Sequence, residues 1–146
     1  MTPFLSFQRR VYIAAPRGLF REARALAAAL EAQGFAIAST WHAQEYGVDP
    51  KAGLYATLDE LEADATARLD EVRSSHALVL LVTPRTWRLD SVFEAFFAHG
   101  NNKPVYVLRT GSDAIPPTTL LWAKGFEHPH GQEELLLALG QGKTPT

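Results

Sequence analysis

Between His76 and Thr83 the chain reads His-Ala-Leu-Val-Leu-Leu-Val-Thr, apolar at every position from Ala77 to Val82. A strand with one wet face alternates, so an unbroken apolar run of this length marks a strand covered on both faces, as in the middle of a parallel sheet. A parallel neighbour needs a crossover, usually helical, so strands and helices should alternate along the chain. They do. Val11-Tyr12-Ile13-Ala14-Ala15, stopped by Pro16-Arg17-Gly18, reads as a first strand entering a loop. Leu19, Ala23, Leu26, Ala27 and Leu30 then keep to one helix face, and Gly34 stands where a C-terminal cap belongs. Phe35 to Trp41 predicts a second strand, followed by a long polar loop through Lys51.

The second half repeats the alternation. Ala56 to Ser74 predicts a long helix with Leu58, Leu61, Ala65, Leu69 and Val72 on one stripe and Asp59, Glu60, Glu62 and Asp64 in its first turns, where the dipole favours anions. Ser91 to Gly100 predicts a helix with Phe93, Phe96, Phe97 and Gly100 on one face, and Pro104 to Leu108 a fourth strand. Leu120 to Phe126 reads as a weaker fifth strand and Glu133 to Leu139 as a closing helix. The expected fold is a flavodoxin-like three-layer α/β/α sandwich, a single domain over residues 1–139 with a disordered tail at 140–146. Its five strands are mostly parallel, in the order 2-1-3-4-5. Ligands of such sheets lie beyond the carboxyl ends of the strands. The loops that matter are therefore Pro16–Gly18, Trp41–Lys51, Thr83–Asp90 and Arg109–Pro116.

Composition narrows the function classes. The 146 residues carry 14 basic and 16 acidic side chains, a formal charge of −2, so the chain lacks the positive field that nucleic acid or an anionic membrane would require. With no cysteine there is no disulfide framework, thiol nucleophile or Cys-based zinc site. The apolar run at 77–82 is far short of the roughly 20 residues of a membrane span, and the expected location is cytoplasmic. No cofactor is called for and no metal is expected: beyond His128-Pro129-His130 the five histidines show no ligand spacing. Gly142-Lys143-Thr144 imitates the end of a phosphate loop, but Leu137 stands where its leading Gly should be.

The candidate site residues surround the predicted crevice. Glu94, early in the helix after the central strand, is either a chemical carboxylate or the last member of a Ser91-x-x-Glu94 capping box. Asp90 is either a polar partner for a ligand hydroxyl or a helix cap. Arg17, before a helix N-terminus, is either a phosphate ligand or a solvated loop residue. Trp41 and His42 offer a stacking face for a planar ligand ring, or simple rim packing. Ala15, Gly18, Thr83 and Ser91 join the substrate-binding group as residues of the strand ends and loops at the crevice, Ser91 as a hydroxyl donor.

Read together, four segments resemble the nucleoside 2-deoxyribosyltransferase superfamily. They are Val11 to Arg17, Gly34-Phe35-Ala36-Ile37-Ala38-Ser39-Thr40-Trp41, Arg68 to Val82, and the block from Glu94 through Lys103-Pro104-Val105 to Leu108. The resemblance implies N-glycosidic chemistry on a nucleoside or nucleoside 5′-monophosphate, with Glu94 in the position of the family's nucleophile. A carboxylate suits that role because cleaving the C1′–N bond develops an oxocarbenium ion that it can trap. The sequence departs from the family at three places. Arg68, grouped here with the substrate-binding residues, stands where the family has an Asp, Phe96 where it has Gly, and Asn102 where it has Gly before Lys103. Asp70 is not expected to replace the missing acid, since helical spacing points it away from the stripe and toward water. Family members commonly complete their sites across a subunit interface. With the aromatic surface of Phe96, Phe97 and Trp87, a homodimer or larger assembly is expected. Two alternatives remain: a TIR-like NAD glycohydrolase, similar in sheet order and in a Glu after the central strand, and a catalytically degenerate nucleotide-binding or assembly module.

Overall fold

The computed structural model describes residues 9–43, 57–83, 90–110 and 118–141. In chain order these form β1 (Arg10–Ala14), α1 (Phe20–Ala32), β2 (Ala36–Ile37), α2 (Leu58–Ser74), β3 (Ala77–Val82), α3 (Asp90–Gly100), β4 (Val105–Arg109), β5 (Phe126–Glu127) and α4 (Gln132–Gln141). The sheet order is β2-β1-β3-β4-β5 and every pairing is parallel. All six residues of β3 are buried, as a central strand requires. Right-handed crossovers place α1 on one face of the sheet and α2 and α3, which pack on each other, on the opposite face. No described helix is long and apolar enough to cross a membrane.

Local chemistry fixes the helix ends. Ala23, Leu26, Ala27 and Leu30 are buried along α1, on the face that the spacing marks. The helix stops in a Schellman motif: Gly34, at φ +92°, donates to the Glu31 carbonyl at 3.0 Å, and Phe35 to that of Leu30 at 3.1 Å. α3 ends the same way, with Asn102 donating to His99 at 3.0 Å and Lys103 to Ala98 at 2.9 Å. Asn102 takes the left-handed position at φ +61°, which Asn tolerates better than most side chains, so Asn in place of Gly preserves the turn here. α2 opens on a reciprocal capping box between Thr57 and Glu60.

Several expectations need correction. The second strand shrinks to Ala36–Ile37, because Trp41–Ala43 turns into a 3-10 helix. The expected fifth strand opens instead with a 3-10 turn, Thr119–Trp122, and β5 itself is Phe126–Glu127. α4 extends to Gln141, so Gly140 and Gln141 are helical, while residues 142–146 lie outside the described part. The α2 stripe is buried only at Val72, and Leu58 and Leu61 are exposed. In α3 the inward face is not the aromatic one. Ser91, Glu94, Ala95 and Ala98 are buried with Val92, whereas Phe93 is exposed. Small side chains let the helix lie close on the sheet, and the larger rings take its flanks. Phe96 packs edge-on against Phe126 at 5.3 Å and Phe97 stacks under Arg73. The aromatic surface expected of these two is therefore largely spent within the chain, and Trp87 lies outside the described residues.

Candidate active site

Tyr12 is the second buried residue of β1, and strand alternation sends its ring toward the face covered by α2 and α3, opposite to its neighbours Val11 and Ile13. There its hydroxyl donates to Oε2 of Glu94, in the second turn of α3. From α2, Arg68 brings Nε to 3.2 Å and Nη2 to 3.1 Å of the same oxygen. Three elements thus converge on one carboxylate. Glu94 is only 6% exposed and Tyr12 fully buried, while the Arg68 side chain keeps 21% of its surface. These contacts all fall on Oε2.

An outer ring of charge surrounds the pair. Nη1 of Arg68 lies 3.8 Å from Oδ2 of Asp64 and 4.0 Å from Oδ2 of Asp90, and Asp64 is also 4.0 Å from Nη2 of Arg17. The first loop is therefore tied to the α2–α3 side of the crevice. Ser91 is buried beside this ring, and its hydroxyl has no hydrogen-bond partner among the described residues.

Electrostatics follow from burial and pairing. Burial pushes the Glu94 carboxyl above its ordinary value, and the Tyr12 hydrogen bond and Arg68 charge offset this only in part. Tyr12 is raised by burial and then by the adjacent Glu94 charge, so its proton stays on the phenol. For Arg68 burial acts against the charge, but Glu94, Tyr12 and Asp64 outweigh it and the guanidinium holds its proton more tightly than usual.

The capping-box expectation for Glu94 fails. Asp90 is already helical, so Ser91 lies inside α3, and the Glu94 carboxylate reaches across to β1 and α2 instead. Asp90 is exposed and forms an ion pair with Arg68. Asp70 faces solvent as expected, paired with Arg73 at 2.7 Å.

Trp41 and His42 have structural work. Trp41 is buried and donates its indole N–H to the Ile13 carbonyl at 2.7 Å, while Ser39 Oγ accepts from the Ile13 amide at 3.0 Å. Two side chains of the Ser-x-Trp segment thus take over where the backbone of β2 stops. Ser39 also meets Nε2 of His42 at 3.0 Å, and burial, with the charge of Arg24, lowers the imidazole pKa. Arg24 pins the turn by donating to the carbonyls of His42 and Ala43. Ala15 is buried at the end of β1, and Gly18 lies in a 3-10 turn where a Cβ would meet open space. Thr83 follows β3, half-buried.

Tyr12 and Asp64 were not among the residues singled out from sequence. A phenol inside an otherwise apolar strand is itself a signal, because a buried Tyr usually finds a partner for its O–H.

No protein-family model matches the chain, and no curated protein matches it in sequence. Solved structures do match. A 2-deoxyribosyltransferase from Bacillus psychrosaccharolyticus superposes with a TM-score of 0.65 at 12% identity, over 87% of this chain and 90% of that one. The chain has the fold of a 2-deoxyribosyltransferase. A CMP N-glycosidase from Clostridium botulinum shares this deoxyribosyltransferase-like fold, with a TM-score of 0.58 at 12% identity over 92% of this chain and all of that one (100%). So does a conserved protein from Enterococcus faecalis, with a TM-score of 0.64 at 18% identity, over 94% and 100% of the two chains.

Proposed function

We propose that the chain cleaves, or transfers the sugar of, a nucleoside or nucleoside 5′-monophosphate, with Glu94 as nucleophile. The observation that carries this is the way Glu94 is held: a buried carboxylate on the crevice side of α3, its contacts gathered on Oε2. That leaves Oε1 to attack C1′. As the C1′–N bond lengthens, the developing cation is trapped as a glycosyl ester, which water or a second base then resolves. Tyr12 and Arg68 orient the carboxylate and favour its ionised form, offsetting in part the burial that works against the charge. The activities named for two structures of the same fold, a 2-deoxyribosyltransferase and a CMP N-glycosidase, support this choice of reaction. For a monophosphate, Arg17 and the unpartnered Ser91 hydroxyl are the groups we assign to the phosphate.

The deciding experiment incubates the protein with nucleosides, 5′-monophosphates and NAD and follows free base by mass-resolved chromatography. Base release from a nucleoside or nucleotide is expected, abolished in Glu94→Gln with the fold retained. Turnover by the Gln variant at the parent rate sinks the nucleophile assignment, and nicotinamide release alone favours an NAD glycohydrolase. A second reading, a nucleotide-binding module without turnover, draws on the Arg68–Glu94 ion pair, which occupies the carboxylate with a cation. It predicts calorimetric binding and no base from any compound.

A further inference from the structure

A nucleophile alone does not expel a nucleobase. The electron pair arriving on the glycosidic nitrogen must be met by a proton or a fixed cation. Among the described residues no acid of useful strength is free to face Glu94, for the unpartnered Ser91 hydroxyl is an aliphatic alcohol and a weaker acid than a phenol. The Tyr12 O–H is committed to Oε2, and burial makes it a poorer acid than ordinary phenol. Asp64 and Asp90 are exposed and stand as anionic ion-pair partners of Arg68, at 3.8 and 4.0 Å from its Nη1. His42 is bound to Ser39 behind Trp41. What does stand beside the nucleophile is Arg68, which at neutral pH is a cation and never an acid. Nη1 of that guanidinium also has donors to spare: the Asp64 and Asp90 oxygens it faces, at 3.8 and 4.0 Å, lie beyond hydrogen-bonding distance.

We infer that Arg68 is the leaving-group residue, pairing with a base expelled as an anion, so that the substrates are nucleotides of acidic 2,4-dioxopyrimidines of the uracil type rather than of the cytosine type. This rests on the glycosidic reading of Glu94. Oε1 bonds to C1′ as the C1′–N bond breaks, and the pair passes to the ring nitrogen and its flanking carbonyl, which accepts from Nη1. Water then cleaves the ester, its hydroxyl going to C1′ and its proton to the base anion, which regenerates the carboxylate. The sum is nucleotide plus water giving sugar phosphate and neutral base.

The test is a leaving-group series: 5′-monophosphates carrying 5-fluorouracil, uracil and cytosine, each with ribose and deoxyribose, assayed for kcat/KM by base release. For the parent we expect a fall of about tenfold or more at each step from fluorouracil to cytosine, because expulsion without a proton follows the acidity of the leaving group. Arg68→Lys, which keeps the cation, should retain that order, and Arg68→Met should steepen it; thermal unfolding of each variant reports on the fold. Equal rates across the parent series, or a uniform loss in Arg68→Met, overturn the inference and leave the Glu94 assignment standing. No release from any member by the parent overturns both.

Discussion

Replacing Tyr12 with Phe tests how the buried carboxylate is held, with no need of a substrate. The change removes one O–H from a fully buried ring and leaves its volume nearly intact, so the lost hydrogen bond dominates the effect. Hydrogen bonds to charged groups contribute about 1.5–3 kcal/mol and neutral ones about 1 kcal/mol, so the cost depends on the protonation state of Glu94. Burial raises the Glu94 pKa above its unfolded value, so the folded chain takes up a proton there. The sign follows: this group favours folding most at low pH, and its contribution is lost as pH climbs through the folded value. The Tyr12 bond to the ionised form limits that loss. Tyr12→Phe should therefore cost about 1 kcal/mol while Glu94 is protonated, growing to about 1.5–3 kcal/mol once it is ionised. Urea unfolding of parent and variant from about pH 4 to about pH 8 reads the difference directly. A difference that is flat with pH, or shrinks as pH rises, would refute the argument.

Arg17→Ala should weaken binding of a 5′-monophosphate about ten- to a hundredfold, the equivalent of one charge-assisted pair, and leave the plain nucleoside almost unchanged. Calorimetry with both ligands checks it, and equal losses would remove the reason for a phosphate subsite. Asn102→Gly should raise stability by up to about 1 kcal/mol and Asn102→Val should lower it by more than that, since only the former relieves the left-handed backbone at φ +61°. Thermal unfolding tests both. Light scattering should give at least twice the 16.1 kDa chain mass, with exposed Leu58, Leu61 and Phe93 on adjoining helices as apolar surface for a partner copy; a monomer mass at high concentration counts against it.

What the sequence makes legible is what local chemistry decides. Ala77 to Val82 reads as a strand covered on both faces, and Gly34 is the residue a left-handed helix end prefers, so the central strand and the α1 boundary follow from short stretches. The α3 face does not. Its large rings suggest one stripe, but proximity to the sheet selects the small residues Ser91, Ala95 and Ala98, and Glu94 goes inward with them. The site is harder still. Glu94 is visible as a carboxylate beyond the central strand, yet its partner Arg68 lies 26 residues earlier on another helix. That pair exists only because α2 and α3 share a face of the sheet. Tyr12 is hidden for a different reason: in a run such as Val-Tyr-Ile an aromatic ring looks like core, and only the third dimension shows where its hydroxyl goes.

The two-residue β2 has an effect on how the molecule meets its own copies. Beyond the Val11–Ile37 register no described strand pairs with β1 on that side, and an uncovered stretch of strand is a template on which another chain can extend. Ser39 and Trp41 claim both polar groups of Ile13, one by accepting from its amide and the other by donating to its carbonyl. The indole is itself buried as it makes that bond. A segment that shapes one wall of the crevice therefore guards the chain against edge-to-edge aggregation, and variants that open the wall at Trp41 would uncover an adhesive edge as well.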